Sequence, residues 1–505
     1  MTTPNINPRE HIELLQTDVP GLDDVLGGGL PRYTLALIAG APGTGKTTLA
    51  QQMMFQLATP EDPALHFTML GEPPIKMLRY QQQFEFFDPT KVGTSVHYRN
   101  LSEQVLSRDL EAVLEAIDTE VRELGPSIVV VDSFRTFIQA ADTDGRQSMV
   151  LQGFLQRLAL RLTTSEVTSF LVGEYVNPES QDDPIFTIAD AILWLHQSTV
   201  RNSIVRKLQV VKLRGQRPVP GLHTTRINEQ GIQVFPRIIQ SLPPPRLEPE
   251  QRVRTGITKL DEMLGGGVPA LSSTLIAGPS GTGKSTLGTQ FIAAGLEHQQ
   301  PGVMAFFEGQ PDEYLARARA RTPSLEEMQR RETLSLIYLR PLDLSVDEAL
   351  LEIQSAVKRI GARRLLIDSL SAFELALAPT FREDFRESLF RMIGALTNSG
   401  VTVMMTAEVS LTFTDLRLTA NLVSFLTDNI ILQRYVEMDG GLRKVMSVVK
   451  MRRSAHSQEL YRYEVTEGGI EIGEQLDQYQ GIITGVAEPR HRAKAAADRR
   501  PAEDR

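Results

Sequence analysis

Two stretches carry the residue types best suited to chemistry: GAPGTGKT at Gly40–Thr47 and GPSGTGKS at Gly278–Ser285. Both fit the pattern G-x-x-x-x-G-K-[ST]. In that pattern a small-residue turn wraps a phosphate chain with its backbone N–H groups. A lysine neutralises the outer phosphates, and a hydroxyl reaches a divalent cation. The residues in these roles are Gly43, Thr44, Gly45, Lys46, Thr47 and Thr48, and again Gly281, Thr282, Gly283, Lys284, Ser285 and Thr286. Each loop follows an apolar run, YTLALIA or LSSTLIA, and precedes a helix pattern starting near Thr48 or Thr286. The expected ligand is ATP with Mg²⁺.

Phosphoryl chemistry needs an acid near the cation and a group that orients the nucleophile. SIVVVDS and RRLLIDS close apolar runs with Asp132 and Asp368, so each carboxylate is expected at the C-terminal edge of a buried strand, beside its loop. With Thr47 and Ser285 they form the expected Mg²⁺ ligands. Candidate bases lie just after the second strand of each half: Glu308 in AFFEGQP and Glu72 in TMLGEPP. Lys46 and Lys284 complete the catalytic set. A third pattern is K-x-R, at Lys212-Leu213-Arg214 and Lys450-Met451-Arg452. Two residues apart on an extended strand, both cations share a face and can meet one anion. A cation supplied by a neighbouring subunit is a recurrent device in phosphoryl transfer, so these triplets are expected to complete an ATP site across an interface.

The scaffold that must place these groups is duplicated. TDVPGLDDVLGGGLP at Thr17–Pro31 recurs as TGITKLDEMLGGGVP at Thr255–Pro269. Phosphate loop and K-x-R recur at the same offset, a whole-domain repeat rather than a solenoid unit. Between the copies lies PRIIQSLPPPRLEPE, whose five prolines forbid a regular helix or central strand and give an extended linker. The expected division is 1–236, linker 237–250, 251–470, and an extension and tail 471–505.

Within the first copy, strands are expected over Tyr33–Ala39, Leu65–Leu70, Ser127–Val131, Val167–Val172 and Ala191–Leu195, and a late antiparallel portion from Ile204. Helices are expected over Thr48–Ala58, Ser102–Leu124 and Ser148–Thr163. The second copy repeats the pattern. Strands alternating with helices of this length give an α/β fold, a mostly parallel sheet covered by helices on both faces.

At 505 residues the chain holds several domains' worth of sequence, and 41% apolar with 23% charged residues is ordinary globular composition. The absence of cysteine excludes disulfides, thiolate zinc sites and a cysteine nucleophile, and fits a cytoplasmic protein. The eight histidines form no HExxH pair. A net charge of −9 weighs against broad nucleic-acid binding. No apolar run reaches the length of a membrane helix.

The doubled P-loops, the LGGGLP and LGGGVP lead-ins, VVVDS, KLRG at Lys212–Gly215 and TDNIILQRYVE with KMR make the chain resemble the KaiC family of circadian clock proteins, among the RecA-like ATPases. The resemblance covers nearly the whole length. It implies tandem RecA-like P-loop domains in a homo-hexameric double ring, with ATP between subunits. It also implies slow hydrolysis in the first ring and serine/threonine autophosphorylation in the second. The family's paired glutamates after the second strand become Glu308-Gly309 in one half and Gly71-Glu72 in the other. Its adjacent Ser-Thr phosphorylation pair falls on Ser424-Phe425, with Thr419 matching a further threonine. Arg453 replaces the glycine after KMR. The stretch through YQGIITG resembles the region before the family's tail, where a regulatory protein could bind. Three other readings stand beside this one: an ATPase without autokinase activity, a RecA-like DNA-dependent ATPase, and a purely structural nucleotide-binding protein.

Overall fold

The computed structural model describes residues 12–68, 74–106, 109–134, 148–176, 183–200, 203–237, 251–308, 310–319, 321–339, 344–377, 385–409, 426–438, 440–452, 454–481 and 487–489. It divides into two compact units, Met1–Arg237 and Ile238–Arg505.

In the first unit a short pair, β1 (Leu14–Leu15) and β2 (Leu30–Pro31), leads into a nine-stranded sheet. Its strands in chain order are β3 (Leu35–Gly40), β4 (Ala64–Thr68), β5 (Val96–Asn100), β6 (Ile128–Asp132), β7 (Thr168–Glu174), β8 (Ala191–Val200), β9 (Ser203–Leu213), β10 (Leu222–Asn228) and β11 (Gly231–Phe235). The spatial order is β11-β10-β9-β8-β3-β7-β6-β4-β5. Strands β3 to β8 pair in parallel, and β8 to β11 form an antiparallel wing. All of LALIAG in β3 is buried, as a strand covered on both faces requires. Successive side chains serve opposite layers: Leu37 joins Val129 and Leu171 on one face, while Ile38 joins Met53 and Val130 on the other.

The second unit repeats this. After β12 (Arg252–Val253) and β13 (Val268–Pro269) come β14 (Ser273–Gly278), β15 (Gly302–Phe306), β16 (Leu334–Tyr338), β17 (Arg364–Asp368), β18 (Thr402–Glu408), β19 (Asn429–Met438), β20 (Gly441–Met451), β21 (Tyr461–Thr466) and β22 (Gly469–Gln475). The order is β16-β15-β17-β18-β14-β19-β20-β21-β22. Strand β22 runs past residue 470, the expected domain end. Beyond it β23 (Tyr479–Gln480) pairs with β24 (Glu488–Pro489), and Leu476, Tyr479 and Ala487 pack on Val436, Met438 and Val445.

The helix expected over Ser102–Leu124 is two helices, Ser102–Leu106 and Leu110–Leu124. Asp109 explains the break: in extended conformation its carboxylate accepts from the Glu111 and Ala112 N–H groups and caps the second helix. That helix buries Val113, Leu114, Ile117 and Val121 and ends at Gly125, whose φ is 61°. Its counterpart Val346–Ile360 starts with a reciprocal Ser345/Glu348 capping box.

One core group sets a pH dependence. His66 in β4 is fully buried, its Nδ1 2.6 Å from Gln51 Nε2, and the Tyr98 hydroxyl donates to Gln51 Oε1 at 2.7 Å. Burial pushes the imidazole down to about 3. The folded chain therefore keeps it neutral while the unfolded chain protonates below its ordinary value. This contribution is whole above about pH 6.5 and is lost as pH falls toward 3, by about 1.4 kcal/mol per unit. Met304 holds the equivalent place in the second unit. His66→Met is expected to flatten the acid limb of stability; urea midpoints at pH 7 and pH 5 check it, and an equal slope in both proteins refutes it.

Candidate nucleotide site

Each P-loop runs from the C-terminal end of a fully buried strand into a helix, Lys46–Leu57 or Lys284–Ala293. The helices begin two residues before Thr48 and Thr286, so each lysine sits on the first helical turn. Gly45 and Gly283, with φ of 100° and 102°, make the turn. A Cβ there would come within 2.7 Å of Ile227 Cδ1 or 2.8 Å of Val465 Cγ2. Only glycine fits both demands. Thr44 and Thr282 brace the loops by donating to the Ala41 and Pro279 carbonyls, each at 2.9 Å. The helix N-terminus then offers unpaired N–H groups toward an anion.

The lysines fold back over their loops. Lys46 Nζ donates to Ala41 O at 2.9 Å, and Lys284 Nζ to Gly278 O and Pro279 O at 2.8 and 2.7 Å. Burial pushes both ammonium groups below their ordinary value. Glu174 and then Asp132 pull Lys46 back up, as Glu408 and then Asp368 do Lys284. The structure brings the expected cation ligands of the first half together, with Thr47 Oγ1 donating to Asp132 Oδ2 at 2.7 Å. In the second half Ser285 and Asp368 line one cavity, and Thr406 Oγ1 donates to Asp368 Oδ1 at 2.5 Å. One hydroxyl and one carboxylate suit Mg²⁺, which keeps several waters and takes its remaining ligands from phosphates. Among the described residues no cluster of three or more His, Cys, Asp or Glu side chains forms a self-sufficient metal cage.

The first cavity, about 300 Å³, is lined by Gly43, Gly45, Lys46, Thr47, Thr48, Asp132 and Glu174 among others. The second, about 460 Å³, is lined by Ser285, Thr286, Glu308 and Asp368, and extends to Tyr314, Arg317 and Arg321. Gly281, Thr282, Gly283 and Lys284 form the turn beside it. Where Gln51 ties to His66 and Tyr98 in the first half, the second has the smaller Thr289, which donates to Ser285 O at 2.7 Å and bonds Tyr314. Glu72, Thr419 and Ser424 lie outside the described residues.

The K-x-R triplets are not at their own chain's P-loops. Leu213 pairs with Ala191, and Ala191 pairs with Ala36 near the start of β3, whereas the P-loop follows Gly40 at its other end. Met451, Asn429 and Thr274 repeat the arrangement. The separation is the length of a strand, roughly 17 Å for such residue numbers, longer than either side chain. Lys212 Nζ donates to Phe186 O and Thr187 O at 3.2 and 2.8 Å, and Arg214 pairs with Asp190 at 3.1 Å. Lys450 Nζ donates to Thr427 O at 2.6 Å, with Arg452 3.9 Å from Asp428. Burial first and the adjacent arginine second lower the pKa of both lysines. Asp190 and Asp428 offset part of that repulsion.

Glu174 and Glu408 were not among the residues picked from sequence. The signal was present: TSFLVGE and TVMMTAE are apolar strands ending in a carboxylate, as in the runs that identified Asp132 and Asp368.

Tandem, mostly parallel sheets, each feeding a glycine-rich loop into a helix beside an acid-ended strand, define a tandem RecA-like P-loop protein. The family described as "ATPase: KaiC" matches residues 15–238 and 253–477, most of the chain in two repeats. The chain belongs to the KaiC ATPase family, whose members bind nucleotide. It is 27% identical to the circadian clock oscillator protein KaiC 1 of Synechocystis sp., over 95% of this chain and 92% of that one. It is also 27% identical to the circadian clock oscillator protein KaiC of Synechococcus elongatus, over 96% and 94%. Against that of Parathermosynechococcus lividus the identity is again 27%, over 93% and 87%. Among the described residues no helix is long and apolar enough to cross a membrane.

Proposed function

We propose that the protein is a Mg²⁺-dependent, ATP-hydrolysing switch that works as a homo-hexameric double ring, each ATP held by one chain's P-loop and completed by the next chain's K-x-R. The observation that carries this reading is the place of Lys212, Arg214, Lys450 and Arg452, a strand's length from their own phosphate loops in both units. A head-to-tail ring brings one end of each sheet to the opposite end of the next and closes such sites around the circle. Gly43–Thr48 and Gly281–Thr286 bind the phosphates. Mg²⁺ sits on Thr47 with Asp132 and on Ser285 with Asp368. Glu308 orients the nucleophile in the second half, on the edge of its cavity.

The finer reading adds serine autophosphorylation by the second ring, on Ser424. Thr427, just before β19, accepts a hydrogen bond from Lys450, so the chain leading into that strand enters at the K-x-R edge. A neighbour's ATP would meet it there. Phe425 supports a second reading, an ATPase whose assembly state alone is the output. Incubation with Mg-ATP, followed by intact-mass measurement, site mapping and size determination, separates them. Phosphate on Ser424 in a hexamer supports the autokinase. A hexamer releasing phosphate without acquiring it supports the plain switch, and a monomer that hydrolyses ATP rejects both.

A further inference from the structure

Strand β7 lies between the P-loop strand β3 and the acid-ended strand β6. Its last residue, Glu174, is in register with Gly40, the first residue of the P-loop. The next residue ties the strand end to that loop: the Tyr175 N–H donates to the Gly40 carbonyl at 3.1 Å. Tyr175 is itself fixed, its hydroxyl donating to Asp183 at 3.0 Å and its ring packing on Phe186. The exposed Glu174 carboxylate therefore stands on a rigid support. It lines the first cavity with Lys46, Thr47 and Asp132. Among the described residues, Asp132 and Glu174 are the carboxylates of that lining.

Glu72 follows β4, on the far side of β6. The offset that sets His66 against Met304 puts Leu70, which is no acid, where the second half has Glu308. The halves differ in the counterpart too. Glu408 is in register with Gly278, but the second cavity's described lining holds Glu308, Glu313 and Asp368 instead.

We propose that in the first half Glu174, rather than Glu72, orients the attacking water and takes its proton. The water oxygen bonds to the γ-phosphorus as the bond to the bridging oxygen breaks. The electron pair leaves on ADP, and the proton passes to the Glu174 carboxylate. The two halves then use acids from different strands, Glu174 on β7 and Glu308 after β15.

This inference rests on the first cavity being an ATP site, so binding and turnover are read separately. The full chain carrying Lys284→Ala, which silences the second cavity, is the parent. Glu174→Gln, Glu174→Asp and Glu72→Gln are added singly, with circular dichroism to confirm folding. A fluorescent ATP analogue reports binding, and phosphate release gives kcat and KM. Glu174→Gln is expected to hold KM and analogue affinity within about threefold while kcat falls at least tenfold further than in Glu72→Gln, with Glu174→Asp recovering part of the loss. A larger loss from Glu72→Gln, or affinity lost together with turnover in Glu174→Gln, overturns the inference alone. A parent that binds no analogue overturns the reading of the cavity as well.

Discussion

Lys284→Ala chains are expected to bind ATP at the second cavity at least ~100-fold more weakly and to incorporate no phosphate, because the substitution removes the one cation built into that loop's turn. The loop itself should survive. Its shape is set by Gly283 at φ 102° and by Thr282 donating to Pro279 O, neither of which involves the lysine. What the lysine does in the free chain is satisfy the Gly278 and Pro279 carbonyls at 2.8 and 2.7 Å, bonds that water can replace. Loss of affinity without loss of the fold is thus the signature. Lys46→Ala is the matching test for the first cavity, and there the expected loss is of nucleotide-driven ring assembly. Isothermal titration with sedimentation checks both. Undiminished phosphate incorporation by Lys284→Ala would falsify the assignment of the second site.

A larger effect on turnover is expected from the triplets. Arg214→Ala and Arg452→Ala should each leave ATP bound at its own chain's loop, since neither residue reaches it, yet lower kcat at that ring by about 10³ or more. The size follows from where charge develops: a cation aimed at the transferring phosphoryl group gains most in the transition state. A structural explanation predicts something else. Arg214 pairs with Asp190 and donates to Thr187 O at 3.4 Å, and it is exposed. Losing that surface pair should cost no more than about 1 kcal/mol of stability. A collapse of turnover with an unchanged melting temperature therefore distinguishes transfer chemistry from folding. Turnover within twofold of the parent chain would remove these arginines from the site.

Much of the scaffold was legible because buried parallel strands leave a plain trace. LALIAG and IVVVD are continuous apolar runs, and the carboxylate that ends the second lands beside the loop that follows the first. The duplication made each reading a double one. Local chemistry that interrupts a pattern was harder to see. Asp109 splits an apparently continuous helical stretch because its side chain competes for the backbone N–H groups of the next turn. Glu174 was missed for a different reason. Sequence shows that a strand ends in a carboxylate, but only the strand order shows that β7 lies directly beside the P-loop strand. The same holds for Lys212 and Arg214. Periodicity places both on one stretch of chain, while the antiparallel turn of β9 along β8 decides that they emerge at the far end of the sheet from Gly40. Crossover order depends on packing between distant segments, and no local window contains it.

In the proposed ring that far-end placement makes each ATP site the joint property of two chains, and subunit mixing tests it most directly. One variant carries Lys46→Ala and Lys284→Ala with intact triplets. The other carries Arg214→Ala and Arg452→Ala with intact loops. Each alone should be inactive. Mixed in equal amounts and allowed to exchange, they should regain hydrolysis at about a quarter of the interfaces, where a sound loop meets a sound triplet. Mixed rings of full size that stay as inactive as either parent would mean that no chain completes its neighbour's site.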